Sequence, residues 1–534
     1  MLLCAGCKDE ERPQQVLKRI FKRIDTSACK LDSAMVKGTL RGYGLEAEVV
    51  LGIDSFYLER NYRAAFVNNA GINEYAGNLI NLLNNEEISP ESLRKARIPR
   101  PDSLYRNFQA EKRYDCNDSV LRKLEVLLTA NFFEYARRNW GGVSPDISKQ
   151  AGWFIKRKEI DYGDLLTDFL SDDKSFRVRE PVYRQYILLK QYLRKYYDIE
   201  KNGRWFDVGE AKIKKGDSAE AVVAVKKLLY LTEDLLVQDS GYVFDAVLEQ
   251  ALIQFQRRHG LDANGKLDDK TLKALRVPVE ERVHQLLINM ERSRWVPAEV
   301  EGKYVIVNIP EFRMYVFEND EPLWNCNVIV GKSNAVNKTV IFNDSIEMVV
   351  FSPHWNIPKN IMLNEILPSL KKDKRYLEKN NMEVVDRKGN PIDQKFDWDD
   401  YTDHFPYIIR ERPGKSNSLG LVKFLFPNTF DIYLHDTPAK TLFNKQSRAF
   451  SHGCIRIEKP LLFARYLLKE DSTWTEEKIL EYMHGGKETF VKLKKKVPVF
   501  IAYFTAWVDR EGLLNFREDV YGHDKKMNQL LFVN

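Results

Sequence analysis

The sequence predicts a multidomain α+β chain: a helical N-terminal scaffold, a compact three-helix module, and a mainly β C-terminal domain interrupted by a capping insertion. Three observations carry this reading. At 534 residues the chain is longer than one hydrophobic core usually supports. Apolar residues recur at helical spacing as far as Trp295, after which short β-branched and aromatic runs take over. Two of those runs are separated by roughly fifty charged, Pro- and Gly-containing residues, far more than an ordinary connection. The expected boundaries are 1–30 for a signal remnant or linker, 40–205 for the scaffold and 212–278 for the module. A connecting helix follows at 279–300, then the β domain at 301–470 with its insertion at 352–420, and C-terminal helices and a hairpin at 471–534.

Composition narrows the class. Hydrophobic residues make up 44% of the chain, ample for packed cores, and no apolar run approaches the ~20 residues of a membrane-spanning helix. The 83 basic and 77 acidic residues are mixed along the whole length, unlike the clustered basic stripe of a nucleic-acid binder, so neither DNA nor RNA is expected as a partner. The six cysteines, at 4, 7, 29, 116, 326 and 454, are too few and too scattered for a disulfide framework, and most are expected to be reduced. Cys4 and Cys7 lack a redox context. "LLCAGC" instead resembles the end of a bacterial lipoprotein signal without its basic and long apolar portions, which would make Cys7 a lipid anchor.

From Asp54 to about Glu200 the pattern is mainly helical: Tyr62, Phe66 and Val67 recur at helical spacing, and "LLTANFFEYARRNW" carries an apolar stripe. Between Ile213 and Val277, Val222, Val225, Leu228 and Leu229 form one inward face. Phe244, Val247, Leu248, Ala251, Leu252 and Phe255 form a second. Gly260 and Gly265 break the helix, and "LDDKTLKAL" starts a third with acidic residues in its first turn. "KYVIVNI", "FRMYVFEND", "LWNCNVIVG", "IEMVVF", "LVKFLF" and "FDIYLH" then read as strands. "LLFARYLLK" and "TEEKILEYM" read as helices, and "VPVFIAYFTAWV" with "GLLNF" as a closing hairpin.

The chemistry concentrates at "AFSHGCIRIEKP". A cysteine becomes an acyl-transfer nucleophile when a base or positive field favours its thiolate and backbone N–H groups await the oxyanion. Gly453 removes a side chain from the approach to Cys454, and the N–H groups around both residues could converge on one oxygen. His435 ends a predicted strand, where a rigid scaffold would present a base. Zinc is not expected, because a closed site needs about four ligands and no second Cys/His pair exists at ligand spacing. A buried structural cysteine and a satisfied structural histidine are the competing reading of each residue taken alone.

Two resemblances follow from these motifs. "FDAVLEQALIQFQRRHGLDANGKLDDKTLKAL" is similar to the peptidoglycan-binding helical module of cell-wall enzymes, through Phe255, Gln256, Gly260, Leu261, Gly265, Thr271 and Leu272. "HDTPAKTLFNKQSRAFSHGCIRI" resembles the L,D-transpeptidase signature, a His followed after fifteen residues by Ser-His-Gly-Cys. "HWNIPKNI" and "RPGKSNSLGLVKFLFPN" resemble the large members of that family, which carry a scaffold, a peptidoglycan-binding module and a capping subdomain. Some members have Asn where this chain has Arg456.

That resemblance implies a carbapenem-sensitive acyltransferase of the cell envelope or periplasm, without cofactor or metal, acting on peptidoglycan peptide stems. Cys454 would attack the carbonyl of the third residue of a tetrapeptide stem, and an amine of a neighbouring stem would resolve the thioester to a 3-3 cross-link. His435 would be the base, Gly453 would supply an oxyanion donor, and His452 and Ser451 would shape the loop. Trp355, Asn417 and Arg456 would meet substrate, Arg456 through a carboxylate. Asp436 is not expected to orient the base, since adjacent side chains on an extended segment face opposite ways; a backbone carbonyl could serve. Hydrolysis of the thioester or exchange of a free D-amino acid would use the same site. The rivals are a non-catalytic wall-binding scaffold and, last, a papain-like peptidase, whose Cys and His come in the opposite order.

Overall fold

The computed structural model describes residues 27–84, 98–109, 114–157, 159–171, 182–209, 213–298 and 300–532; Cys4, Cys7 and the lipid-anchor expectation lie outside them. The chain forms two compact units. The first comprises Met1–Pro145, Arg157–Ile187 and Met290–Ala298; the second comprises Asp146–Lys156, Leu188–Asn289 and Glu299–Asn534.

The first unit packs helices around Ser119–Ala136, which is buried from Leu124 to Ala136 on every side rather than along one stripe. The expected helical reading of Tyr62, Phe66 and Val67 is corrected: Arg63–Asn68 is a strand, β2, lying between β1 (Ala28–Lys30) and β3 (Gly71–Ile72). Ala64 to Val67 form a continuous buried run, as in a strand covered on both faces, and three residues are too few to separate that from a helix. Glu125 satisfies the strand's backbone, accepting from Ala65 N at 2.7 Å and Phe66 N at 2.8 Å. One pair departs from the expectation that most cysteines are reduced. Cys29 on β1 and Cys116 are joined in a disulfide across 87 positions, a pairing made by the fold and invisible in spacing.

In the second unit, α1 (Glu220–Leu231), α2 (Ala246–Arg258) and α3 (Asp269–Leu275) share one core containing Val222, Val225, Leu228, Leu229, Leu248, Leu252, Phe255 and Leu272. Val247, expected inward, is 60% exposed, because the apolar face of α2 is narrower than the run of apolar letters. Gln256 is fully buried and ties the turn between α2 and α3. Its amide donates to Lys266 O at 2.8 Å and Thr271 Oγ1 at 3.0 Å, and its oxygen accepts from Gly265 N at 2.8 Å.

Ten further strands form one large sheet. These are β4 (Trp153–Phe154), β5 (Lys303–Asn308), β6 (Arg313–Glu318), β7 (Glu321–Gly331), β8 (Ile341–Phe351), β12 (Val422–Leu425), β13 (Leu434–His435), β14 (Ala449–Ser451), β15 (Ile455–Ile457) and β16 (Thr489–Ala502). Its order is β12-β13-β15-β7-β6-β5-β16-β8-β4, and a further pairing of β12 with β8 closes the ladder on itself. "VPVFIA", expected in a terminal hairpin, belongs instead to β16, parallel to β5, and the hairpin is β17 (Ala506–Val508) with β18 (Leu514–Phe516).

The insertion between β8 and β12 has a sheet of its own, with β11 (Ile408–Glu411) between β9 (Trp355–Asn356) and β10 (Met382–Val385). Its separate core includes Ile361, Leu367, Leu370, Val384, Trp398, Phe405 and Ile409, which lets it fold as a cap rather than a loose loop.

Candidate active site

Strand register builds the site. On β12, β13 and β15, Phe424 faces Leu434 and Leu434 faces Ile455, all fully buried in the sheet's core. Side chains alternate along a strand, so the flanking residues project from the other face. One rung carries Val350, Lys423, His435 and Arg456 side by side. The same registers, continued by two residues, align Met348, Leu425, Tyr433 and Cys454 in the next rung. His435 thus ends β13, and Cys454 immediately precedes β15, its parallel neighbour.

The nucleophile loop is held by its own atoms. Ser451 is buried, and its hydroxyl donates to Cys454 O at 2.6 Å while accepting from Gly453 N at 3.2 Å. Gly453 has φ +120, a conformation L side chains rarely adopt, and its carbonyl accepts from Thr339 Oγ1 at 2.7 Å. The expected oxyanion role of the Gly453 N–H is thus corrected, since Ser451 Oγ occupies it. The Cys454 N–H has no acceptor among the described residues and is the donor left for an oxyanion.

Cys454 is partly exposed. Burial raises its thiol above the usual range, opposed by hydrogen bonds from the Tyr433 backbone and phenol and by the Arg456 charge, which favour the thiolate. Its acceptor is Asp431 O at 3.5 Å rather than the His435 ring. His435 is buried, with Nδ1 on its neighbour's carbonyl, Asp436 O, at 2.5 Å. A backbone oxygen thus favours the tautomer with the proton on Nδ1, while the Asp436 carboxylate accepts from Leu421 N at 2.9 Å. Burial, with the Arg456 charge, pushes the ring down to about 3, against the Asp436 and Leu419 carbonyls.

The other expected residues divide. Arg456 flanks His435, its Nε buried without a hydrogen-bond partner and its guanidinium lowered by burial. Trp355, on β9, lies near enough to the Tyr433 phenol to favour its ionised form. His452 points to the cap, with Nε2 2.9 Å from Glu365 Oε1. Asn417 is corrected: it is 1% exposed, its amide donates to Arg412 O at 2.9 Å and Pro353 O at 3.1 Å, and its oxygen accepts from Leu419 N at 2.8 Å. It braces the loop behind His435 and has no atom left for substrate. Sequence reasoning missed Tyr433, although its position two residues before His435 on a strand was enough to place it on the same face; the rings lie 5.7 Å apart. Among the described residues no His, Cys, Asp and Glu cluster could hold a metal, and no helix is long and apolar enough to cross a membrane.

Residues 302–496 match the family model described as the L,D-transpeptidase catalytic domain, 52–193 match "Scaffold domain", and 218–275 match "Putative peptidoglycan binding domain". A protein of Haemophilus influenzae named "Putative L,D-transpeptidase" is 35% identical over 245 residues, covering 46% of this chain and 49% of that protein. The chain thus spans about half the length of that relative. Two solved L,D-transpeptidases overlap 55% of this chain: one from Xylanimonas cellulosilytica (98% of its chain, 13% identity, TM-score 0.19) and one from Stackebrandtia nassauensis (97%, 14%, 0.22). Overlap at that level adds nothing to the sequence matches. Residues 302–496 are therefore similar to the L,D-transpeptidase catalytic domain, in a chain whose other segments match a scaffold domain and a peptidoglycan-binding domain.

Proposed function

We propose that this protein is a peptidoglycan L,D-transpeptidase that forms 3-3 cross-links through a thioester on Cys454. The observation that supports the reading is the parallel pairing of β13, which ends at His435, with β15, which begins just after Cys454, together with a backbone carbonyl on His435 Nδ1. In acylation the Cys454 proton passes to His435 Nε2 and the sulfur attacks the carbonyl of the third stem residue. The Cys454 N–H receives the oxyanion. The C–N bond to the terminal D-alanine then breaks, and the leaving amine takes the proton from His435. The imidazolium formed in between faces the Asp436 and Leu419 carbonyls, which favour the charge. Arg456, with its unpartnered Nε, meets a carboxylate of the donor stem.

Resolution by a second stem's amine gives the cross-link; water gives a carboxypeptidase, and a free D-amino acid gives exchange. The wall-binding module holds the chain on its polymer substrate, raising the local concentration of stems. The domain content and the Cys29–Cys116 disulfide both suit an oxidising cell-envelope compartment, which for this site is the periplasm. Incubation with tetrapeptide muropeptides should yield D-alanine and cross-linked dimers, and intact mass should show one carbapenem adduct, absent in Cys454→Ala. Wild-type protein that stays unmodified would refute the assignment. For His435→Ala the expected result is folded protein with acylation slowed about 100-fold or more.

A further inference from the structure

The segment from Asp436 to Phe450 joins the base to the nucleophile loop, and the proposed reaction leaves its middle without a role. Between buried Phe443 and Arg448 it is mostly exposed, so side-chain anchors rather than a core fix its course. Arg448 is an anchor inside the β domain, donating to Phe312 O at 3.0 Å and Val328 O at 3.2 Å. Gln446 is another, and its partners lie outside that domain. Its amide donates to Gly260 O at 3.1 Å, and its side-chain oxygen accepts from the Lys270 ammonium. Gly260 follows α2 and Lys270 lies on α3, so both belong to the three-helix module.

The turn that Gln446 grips is itself held. Gly260 has φ +66, and a Cβ there would lie 2.6 Å from Arg517 Nε, so the glycine serves both the turn and the close approach. Arg517 Nη1 donates to Arg258 O at 2.8 Å, while Arg258, buried and ion-paired with Asp234, donates to Leu514 O at 2.9 Å. Next to it His259 stacks on Phe255 at 3.8 Å and lies 5.5 Å from Phe516. The module is therefore pinned to the C-terminal hairpin at the point where Gln446 meets it.

Building on the function proposed above, we infer that Gln446 is a positioning residue through which the module braces the active-site segment, so that the module raises the rate at Cys454 apart from any hold on the polymer. The path is short. Gln446 shortly precedes Arg448, whose carbonyl accepts from Val330 N at 3.0 Å where β14 starts along β7. β14 ends at Ser451, whose hydroxyl holds both Gly453 and Cys454. Without Gln446 the segment keeps Arg448 but loses its brace on the module side, and the sulfur spends less time on the line of attack, to which rate is steeply sensitive.

The test uses the full chain and a carbapenem, a small acyl donor that needs no hold on the wall, with the adduct followed by intact mass against time and concentration. Gln446→Ala should lower the limiting acylation rate about tenfold, with the half-saturating concentration and cosedimentation with sacculi within about twofold of wild type. Lys270 is exposed, so Lys270→Ala disturbs no core; it should slow the same step, and Lys270→Arg should restore part of the rate. Because both changes cut one contact, the double variant should be no slower than Gln446→Ala alone. Either single alanine variant acylating at the wild-type rate, or losses that multiply in the double variant, would overturn this inference alone. Absence of any Cys454 adduct in the wild type would overturn it together with the function on which it rests.

Discussion

Replacing both Cys29 and Cys116 by serine removes the cross-link without changing the size of the residues at β1 and the turn before Ser119–Ala136. The bond closes a loop of 87 positions. Chain-entropy scaling, about 2.1 plus 1.5R ln n cal/mol/K, gives roughly 4.6 kcal/mol at 25 °C for a loop of that size, at the upper end of measured disulfide effects. Because the chain has several domains, a single unfolding midpoint would not isolate this term. Hydrogen exchange resolved by peptide does. Amides in Ser119–Ala136 that open through unfolding of the first unit should exchange about a thousandfold faster in the double variant, the factor that ~4 kcal/mol commands. Peptides from 302–496 should change far less, since neither cysteine lies in that domain. Equal protection of Ser119–Ala136 in variant and wild type, or two alkylatable thiols at 29 and 116 in protein prepared under oxidising conditions, would refute the reasoning.

Gly453→Ala forces a Cβ into φ +120, a strain of about 1–3 kcal/mol, and should slow carbapenem acylation while circular dichroism stays native; an unchanged rate would contradict it. The His435 ring binds no proton in the folded chain until pH nears about 3, whereas the unfolded chain takes one near 6.5, its ordinary value. The unfolded state binds more protons across that window, so stability falls as pH drops through it, by at most about 1.4 kcal/mol per pH unit. His435→Gln should remove that increment from the acid limb of urea titrations, and equal slopes in both proteins would count against it. Gln256→Leu leaves Gly265 N and Lys266 O without their partner and should destabilise the module by about 1–3 kcal/mol, seen as faster proteolysis between α2 and α3.

Legibility followed sequence range. The helices of the module were readable because each carries its apolar face within a dozen residues, and its turn because Gly260 and Gly265 sit beside a Gln whose amide ties them. Fifteen residues of spacing and a dense motif single out Cys454, His435 and the loop around them as the candidate site. The Cys29–Cys116 bond was not, because nothing local distinguishes partners so far apart. Nor was β2, where the buried run Ala64–Val67 fits a strand or a helix until its neighbours are known. Asn417 illustrates another limit: a motif names a residue without saying whether its atoms face outward. In the fold, Pro353, Arg412 and Leu419 already take them. Gly453 is similar: the motif suggests its N–H for an oxyanion, and only the fold brings Ser451 Oγ to 3.2 Å from it.

The cap enters and leaves the sheet at adjacent points. Phe351, the last residue of β8, pairs with Val422, the first of β12, and Ser352 N donates to Leu421 O at 2.9 Å just beyond. In topological terms the whole subdomain is therefore the tip of a β-hairpin. A two- or four-residue turn could bridge the same gap without re-threading any strand, so selection could exchange, enlarge or delete this piece as a cassette while the barrel beneath keeps its alignment. Trp355 stands almost at that doorway, and whatever arrives with a new cassette inherits a position beside Tyr433.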